Sequence, residues 1–204
     1  MSKYTTLEQH ASYGIGLQMG QQLADNPFDG LDIDAVAAGV IAAFTEQAAE
    51  VSDEQIRAAF TVISERMQAE QAEKAELLAQ AGEAFLAENA KRPEITVTAS
   101  GLQYEVLVAA DGEKPSRNST VRTHYHGTLI DGTVFDSSYQ RGEPAEFPVS
   151  GVIAGWTEAL QLMSPGSKLR LYIPHNLAYG ERGAGNAIAP FSALIFDVEL
   201  LAIL

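Results

Sequence analysis

The chain has 204 residues, enough for one large domain or two small ones, and its 46% hydrophobic and 20% charged residues are typical of a soluble globular protein. Its 27 acidic residues outnumber its 13 basic ones, and the resulting formal charge of −14 repels phosphate backbones, which argues against nucleic-acid binding. Because the chain has no cysteine, disulfides, thiolate nucleophiles and cysteine-ligated metals are excluded.

No segment has the pattern of a membrane span or of a signal peptide. The first residues, MSKYTTLEQHASYG, lack an apolar stretch of signal-peptide length, and no long uncharged apolar run occurs elsewhere. We therefore expect no membrane span and a cytoplasmic location. The periplasm is the alternative, because a cysteine-free chain would also survive there.

Two short helices are predicted first. Thr5 followed by Glu8 predicts a capping box that opens a helix through about Leu23. The run Asn-Pro-Phe-Asp-Gly at residues 26–30 then breaks it. A second helix is predicted from one apolar stripe at helical spacing. The stripe consists of Ile33, Val36, Val40, Ile41 and Phe44.

A third helix of about 38 residues, roughly 57 Å long at 1.5 Å per residue, is predicted to follow its cap at Ser52 and to stop at Lys91-Arg92. Ser52 and Gln55 form its capping box, and Pro93 ends it. Residues 68–76, between two apolar ends, have only alanine as apolar content. A helix that is polar all round usually bridges through solvent, and the alternative is a packed helix with a small-residue seam. Gly82 is the point where the helix would bend most easily.

The N-terminal helices predict a homodimer. Gly14, Gly16 and Gly20 each cost about 1 kcal/mol relative to alanine inside a helix, and close approach of another helix is the usual compensation. Two short helices and one end of a third also make too small a core for one chain. We expect two chains to associate through residues 1 to about 67, and the alternative is that these helices fold back on the C-terminal domain. The candidate dimer residues are Gly14, Gly16, Gly20, Ile41, Phe44 and Phe60.

Strand patterns replace helical spacing after Pro93. Alternating or apolar runs, separated by turns such as Asp131-Gly132, predict five or six antiparallel strands around one short helix. The predicted strands are 102–108, 121–130, 134–135, 147–149, 168–173 and 193–201, and the helix is 155–163. The fold class is therefore α+β, with the sheet wrapped over the helix. The predicted domains are a helical dimerisation domain at 1–51, a connecting helix at 52–92 and a third domain at 93–204.

Metal, phosphate and hydrolase sites have little support in the sequence. His124 and His126 face one side of a predicted strand, but no third ligand stands near them, so surface histidines are the favoured interpretation. The segment Gly180 to Gly185 lacks phosphate-loop spacing and is predicted to be a mobile loop. No nucleophile elbow or obvious carboxylate pair occurs. We expect no metal and no cofactor.

The one tryptophan leaves two interpretations open. Trp156 opens a short apolar helix, where a large aromatic is more often a core residue than the floor of a pocket. Other aromatic and aliphatic residues in this half also fit a core by periodicity alone. Tyr179 is the exception, because it adjoins a glycine-rich loop, where aromatic side chains often line binding surfaces.

Four ordered segments carry a family resemblance. They are THYHGTLIDGTVFDSS at 123–138, VIAGWTEAL at 152–160, LAYG at 177–180 and LIFDVELL at 194–201. Residues 101–204 thereby resemble the FKBP-type peptidyl-prolyl cis-trans isomerases. The N-terminal half resembles the dimerising arm of their bacterial Mip-like/FklB-like subgroup, with fewer motifs.

The resemblance implies an antiparallel half-barrel around the Trp156 helix and a pocket between them. Trp156 would be the floor under the substrate proline, and Tyr179 would donate its hydroxyl to a substrate carbonyl. The Ile153 backbone N–H would bind another carbonyl, and Asp136 would lie at the rim. The implied catalytic residues are Tyr125, Phe135, Asp136, Trp156, Tyr179 and Phe196, and the implied substrate-binding residues are Val152, Ile153, Ile188 and Phe147.

The resemblance also implies partners: proline-containing peptides, unfolded protein clients and macrolide inhibitors. Ala145 and Ala184 depart from the family, which often has phenylalanine and histidine there, and both changes would widen the pocket. The competing interpretation is a dimeric holdase, a non-catalytic chaperone that binds unfolded polypeptides.

Overall fold

The fold is described from a computed structural model, which covers residues 3–25 and 27–204. The chain divides into two compact units, residues 1–70 and 71–204, and the division falls inside the longest helix. None of the helices within the described residues is both long enough and apolar enough to cross a membrane.

The first unit contains helices α1 (Leu7–Asp25) and α2 (Ile33–Phe44) and the first half of α3 (Asp53–Asn89). The capping box of α1 lies one residue later than predicted. The amide of Gln9 donates to the Thr6 hydroxyl, and the Gln9 side chain accepts from the Thr6 amide at 3.2 Å. The predicted pair, Thr5 and Glu8, was wrong. Two overlapping pairs in the sequence have capping-box spacing, Thr5 with Glu8 and Thr6 with Gln9, and the structure uses the second.

Apolar side chains of the first unit remain exposed in the single chain. Neither α1 nor α2 has a buried residue among those described. Phe44 is 88% exposed, Phe60 66% and Ile41 58%. A Cβ added at Gly14, Gly16 or Gly20 would meet no atom of the described chain within 4 Å. The apolar residues of these helices therefore have no core within one chain.

Helix α3 runs for 37 residues without interruption. Ser52 and Gln55 form the predicted capping box, since each backbone amide donates to the other side chain. Within residues 68–76 every side chain except Ala75, which is half-buried, is exposed. The helix continues through Gly82, where the missing side chain lets Ala193 approach, because an added Cβ would lie 3.2 Å from the Ala193 Cβ. The helix ends at Asn89, two to three residues before the predicted stop at Lys91-Arg92.

The second unit is built on one antiparallel sheet of seven strands. The strands are β1 (Thr96–Val97), β2 (Gln103–Val108), β3 (Thr120–Leu129), β4 (Val134–Ser137), β5 (Ala145–Pro148), β6 (Lys168–Ile173) and β7 (Leu194–Ile203). Their order is β1-β2-β6-β7-β3-β4, and β5 also pairs with β3. This sheet with one helix on its inner face confirms the α+β, half-barrel prediction.

Two short helices follow β4 and β5. Helix α4 (Ser138–Arg141) was not predicted, whereas α5 (Ala154–Leu160) is the predicted Trp156 helix, shorter by three residues at its end. Strand β1 was also missed, because two residues are too few to show alternation. Short 3₁₀ turns occupy Val149–Gly151 and His175–Leu177.

Helix α5 packs against the inner face of the sheet. Trp156, Ala159 and Leu160 are buried with side chains from the central strands. Gly155 makes this contact close, because a Cβ there would lie 2.6 Å from Ile173 on β6. The N-terminal end of α5 is thereby held beside β6, and the helix carries Trp156 to the mouth of the half-barrel.

The C-terminal end of α3 is tied to the outer face of the sheet by one buried and two partly buried polar contacts. The Asn89 amide donates to the Gln103 side chain at 2.9 Å. Arg92, just beyond the helix, donates to the Tyr172 hydroxyl at 2.9 Å and to Glu105 at 3.0 Å. The buried Asn89–Gln103 pair in particular favours one docking geometry, because a buried polar group without its partner is costly.

Candidate active site

A cavity of about 600 Å³ opens between α5, the sheet and the loop before β7. Its lining consists of Tyr125, Phe135, Asp136, Phe147, Gly151, Val152, Ile153, Trp156, Tyr179, Ala184, Gly185, Ala187, Ile188 and Phe196. The structure thus brings together all ten catalytic and substrate-binding residues named from the sequence. They come from β3, β4, β5, α5, β7 and the segments between them.

Trp156 is the centre of an aromatic box. The rings of Tyr125 and Phe196 stand edge-on to the indole with centroids 5.2 Å away, and Phe147 does so at 5.8 Å. Edge-to-face packing of this kind is favourable and holds each ring in one orientation. Trp156 is 4% exposed, yet it lines the cavity, so it belongs to the core and to the pocket together.

One polar cluster stands at the rim of this apolar box. The Tyr125 hydroxyl donates to Asp136 at 2.5 Å. Arg141 donates through one guanidinium nitrogen to Asp136 and through another to the Tyr125 oxygen at 2.8 Å. The Arg141 guanidinium also lies 5.4 Å from the centre of the Tyr125 ring. Asp136 is therefore held by two donors at the edge of the cavity.

The environment sets the protonation of these groups. Burial alone would raise the pKa of Asp136, but hydrogen bonds from Tyr125 and Arg141 outweigh it and hold that pKa below its usual range. Burial, followed by the hydrogen bond to Asp136, raises the pKa of Tyr125. Burial and then the charge of Asp136 raise the pKa of Tyr179. At neutral pH the carboxylate is charged and both phenols keep their protons, so each can donate.

The loop before β7 forms the far wall of the cavity. Ala184 and Ile188 exchange two backbone hydrogen bonds of 2.8 and 3.1 Å, which close the loop on itself. Gly183 has φ +65°, and a Cβ there would lie 2.2 Å from the Ile188 carbonyl oxygen, so only glycine fits. The hydrogen-bonded turn at 184–188 overlaps the end of the predicted mobile loop, whose mobility stays a prediction, and Ile188 in this turn is 5% exposed.

Ala145 and Ala184, the two departures from the family pattern, occupy different places relative to the cavity. Ala184 lines the cavity, whereas Ala145 on β5 packs against the core and is outside the lining. Of the two departures from the family, only the one at Ala184 borders this cavity. The candidate dimer residues, Gly14, Gly16, Gly20, Ile41, Phe44 and Phe60, are all in residues 1–70 and do not line it.

Arg141 is the polar residue that sequence reasoning missed. It ends α4, which Ser137 caps by accepting from the Gln140 amide and which Gly142 closes with φ 78°. The signal was present as Ser137, Gln140 and Gly142, an N-cap, a capping-box partner and a C-terminal glycine. A single helical turn is too short to show apolar periodicity, so these cues alone could have found it.

The histidines at 124 and 126 bond to protein side chains. The Nδ1 of His124 lies 2.9 Å from the Ser138 hydroxyl, and the Nδ1 of His126 lies 3.0 Å from that of Ser137. Both rings point to the outer face of β3, opposite Tyr125, as their spacing predicted.

A second cavity, of about 710 Å³, lies on the outer face of the sheet beside the end of α3. Its charged side chains are paired with neighbours: Arg170 donates twice to Asp197, at 2.6 and 2.9 Å, and Arg92 bonds Tyr172. Because those groups already satisfy one another, the open aromatic cavity at Trp156 is the better candidate for an active site.

Comparison with known proteins matches two family models to the chain. The model for FKBP-type peptidyl-prolyl cis-trans isomerase matches residues 111–201. The model for the domain amino terminal to FKBP-type peptidyl-prolyl isomerase matches residues 8–106.

Similarity to several known proteins covers nearly the whole chain. The FKBP-type 22 kDa peptidyl-prolyl cis-trans isomerase of Escherichia coli K12 is 51% identical over 201 residues, 98% of each chain. A Legionella longbeachae relative, named outer membrane protein MIP, is 39% identical and covers 98% of this chain and 87% of that protein. The crystal structure of FkpA from Escherichia coli is 36% identical with a TM-score of 0.71, covering 98% of both chains. The expected cytoplasmic location gains no support from these relatives.

Proposed function

The chain belongs to the FKBP-type peptidyl-prolyl cis-trans isomerases and is an isomerase of X-Pro bonds, and we propose that catalysis takes place in the aromatic cavity floored by Trp156. The single observation that carries this assignment is the convergence of ten residues, from distant parts of the sequence, on one cavity. The proline ring would lie on the indole, between the rings of Tyr125 and Phe196.

An apolar site suits this reaction because the barrier is electronic. Rotation about an X-Pro bond must break amide resonance, which sets a barrier of about 18–20 kcal/mol and makes the uncatalysed exchange slow. The planar amide is more dipolar than the twisted one, so water favours the ground state. A dry cavity removes that preference, and interactions made only with the twisted amide then lower the barrier. No covalent bond to the protein is needed.

Two donors would hold the substrate carbonyls, and one carboxylate would lie beside them. Tyr179 remains protonated at neutral pH and would donate its hydroxyl. Ile153 is the N-cap of α5, where backbone N–H groups lack partners within the helix, so its amide would bind a second carbonyl. Asp136, held by Tyr125 and Arg141, would face the twisted bond from the rim. Phe135, Phe147, Val152 and Ile188 would exclude water around them.

Variants of three cavity residues test this site. We expect Trp156→Ala to lose most activity, because it removes the floor, and Asp136→Ala and Tyr179→Phe to lose part, up to about tenfold for one hydrogen bond. The measurement is kcat/KM for isomerisation of a proline peptide. Val106→Ser, an exposed strand residue outside the cavity, is the control and should keep full activity. Unchanged kcat/KM in all three cavity variants contradicts the site.

Refolding of a protein whose slow step is proline isomerisation distinguishes a catalyst from a holdase. Acceleration by substoichiometric amounts of the chain, abolished by Trp156→Ala, is the expected result. Suppression of aggregation near equimolar amounts, without acceleration, is the result expected of a holdase. Proline peptides and unfolded proteins are the proposed substrates, and macrolide binding in the same cavity stays a prediction, with Ala184 widening the wall.

We also propose that two chains associate through residues 1 to about 67. The support is the exposure of Phe44, Phe60 and Ile41 in the single chain and the open space around the glycines of α1. A location in the cytoplasm, with the periplasm as the alternative, stays a prediction that fractionation of the source cells would test.

A further inference from the structure

The outer face of β3 and the start of α4 are joined by two parallel hydrogen bonds. His124 bonds the hydroxyl of Ser138 at 2.9 Å, and His126 bonds the hydroxyl of Ser137 at 3.0 Å. The two serines are consecutive, and they are the N-cap and the first residue of α4. His124 and His126, which lie on the same face of β3, thus each bind one of the two serines at the start of α4.

The proton on His124 can be placed from the bonds of Ser138. The Ser138 hydroxyl is fully buried, donates to the Tyr125 carbonyl at 3.1 Å and accepts from the Tyr125 amide at 2.7 Å. A hydroxyl has one proton, and a carbonyl can only accept. All three bonds are satisfied when His124 donates from Nδ1. Both the neutral Nδ1–H tautomer and the imidazolium can do this.

Further contacts surround the His124 ring. The His124 ring stacks on Tyr139 of α4, with centroids 4.6 Å apart and an angle of 16°. The Tyr139 hydroxyl donates in turn to Glu199 at 2.9 Å, and Glu199 lies opposite His124 on β7. His126 lies opposite Asp197 on β7, and Asp197 forms an ion pair with Arg170. The His124 ring is thus linked through Tyr139 to Glu199 of β7, and it joins α4 to the sheet.

Helix α4 connects these histidines to the cavity rim. Its four residues end at Arg141, whose guanidinium bonds both Asp136 and the Tyr125 hydroxyl. A helix of one turn is not stable by itself, so contacts at its start help to determine where its last side chain lies. The placement of Arg141 therefore depends in part on the side chains that bond Ser137 and Ser138, together with the backbone pairing of Ser137 with His126.

We propose that His124 and His126 are positioning residues for the isomerisation, which hold α4 through Ser138 and Ser137 so that Arg141 keeps Asp136 and Tyr125 in place at the cavity. They touch no part of the cavity themselves. This inference rests on the proposed site at Trp156.

Substitutions at His124 in the full-length chain test the inference. His124→Phe keeps the ring and its stacking but removes the donor, and we expect kcat/KM to fall about three- to tenfold, the range for one hydrogen bond. His124→Asn offers an amide N–H near the Nδ1 position, and we expect it to recover most of that loss. Thr128→Val, on the same outer face of β3, is the matched control and should keep wild-type kcat/KM.

A double-mutant cycle with Arg141→Ala asks whether the effect passes through the arginine. We expect Arg141→Ala alone to lower kcat/KM and His124→Phe to cost less than about twofold in that background, because the two changes act on one contact. Undiminished loss in the Arg141→Ala background overturns the inference, and so does equal activity of His124→Phe and wild type.

Two further results complete the test. If His124→Phe does not fold, His126→Phe makes the same test through Ser137, with the same expected coupling to Arg141. If Trp156→Ala keeps full activity, the site itself is wrong. If Trp156→Ala is inactive while neither histidine variant changes kcat/KM, only the positioning role is overturned.

Discussion

At the scale of single residues, the site is an apolar box with one charged group whose state is fixed by its neighbours. Asp136 is half exposed, and its pKa lies below the usual range because Tyr125 and Arg141 donate to it more strongly than burial opposes its charge. The carboxylate and the two donors form one unit. Removing any one of the three changes the hydrogen bonds of the other two.

The charge of Asp136 predicts a pH-dependent stability difference between wild type and Asp136→Asn. Because the folded pKa is lowered, the ionised carboxylate contributes stability that is fully present above its unfolded pKa of about 3.9 and is lost as pH falls through the folded value. We expect wild type to be more stable by a constant amount from about pH 7 to 5, with the gap closing below about pH 4. Urea unfolding at several pH values measures it.

The other carboxyl groups do not contribute to this stability difference, because wild type and Asp136→Asn both contain them. A gap that stays constant as the pH falls well below 4 would show that the lost stability comes from the shape of the side chain and not from its charge.

At the scale of elements, α5 is the part that places the floor of the cavity. Gly155 allows the helix to approach β6, and Ile173 on that strand is fully buried and cannot move aside. Short elements carry much of the site, since α4 supplies Arg141 and the turn 183–188 supplies the wall at Ile188. Each depends on caps, glycines or anchoring side chains because one turn is not stable alone.

Gly155→Ala should destabilise the second unit. The added Cβ would lie 2.6 Å from Ile173 Cγ2, and overpacking of this kind costs about 1–3 kcal/mol. Because Trp156 is the only tryptophan, its fluorescence during urea unfolding reports this unit alone. Ala154→Ser, at the exposed neighbouring position, should change the free energy of unfolding by less than about 0.5 kcal/mol. Equal midpoints for Gly155→Ala and wild type would contradict the close packing.

At the scale of the whole molecule, charge and exposed apolar surface oppose one another in the first unit. Residues 1–70 contain 11 acidic and 3 basic residues, a net charge of −8. Phe44 and Phe60 remain exposed in the single chain. Apolar burial would favour association of two such units, while their like charges would disfavour it.

The proposed dimer should therefore tighten as salt increases. Raising ionic strength from about 0.01 M to 1 M shortens the Debye length from about 30 Å to 3 Å and screens the repulsion. We expect the dimer dissociation constant from sedimentation equilibrium to fall over this range. Phe44→Ser should weaken the dimer at every salt concentration, and Val106→Ser, exposed in the second unit, should not. A monomer throughout, or a dimer indifferent to Phe44→Ser, would count against the interface.

Much of this protein was determined by local sequence patterns. The long helix with its polar centre, the period-two strands, the Ser52–Gln55 capping box and the four ordered motifs around Trp156 could each be read from neighbouring residues, because helix and strand periods and caps act over a few positions. The motifs also identified the cavity residues, since their types and order match a known family.

Tertiary structure alone decided the rest. The pairing of β3 with β4 places His126 beside Ser137, and the turn of α4 returns Arg141 to Tyr125, sixteen residues earlier. The order of the strands, the closed turn at Ala184 and Ile188, and the double role of Trp156 in core and cavity likewise depend on the pairing of distant segments. Such contacts are selected by the packing of the whole sheet, and no short-range period in the sequence encodes them.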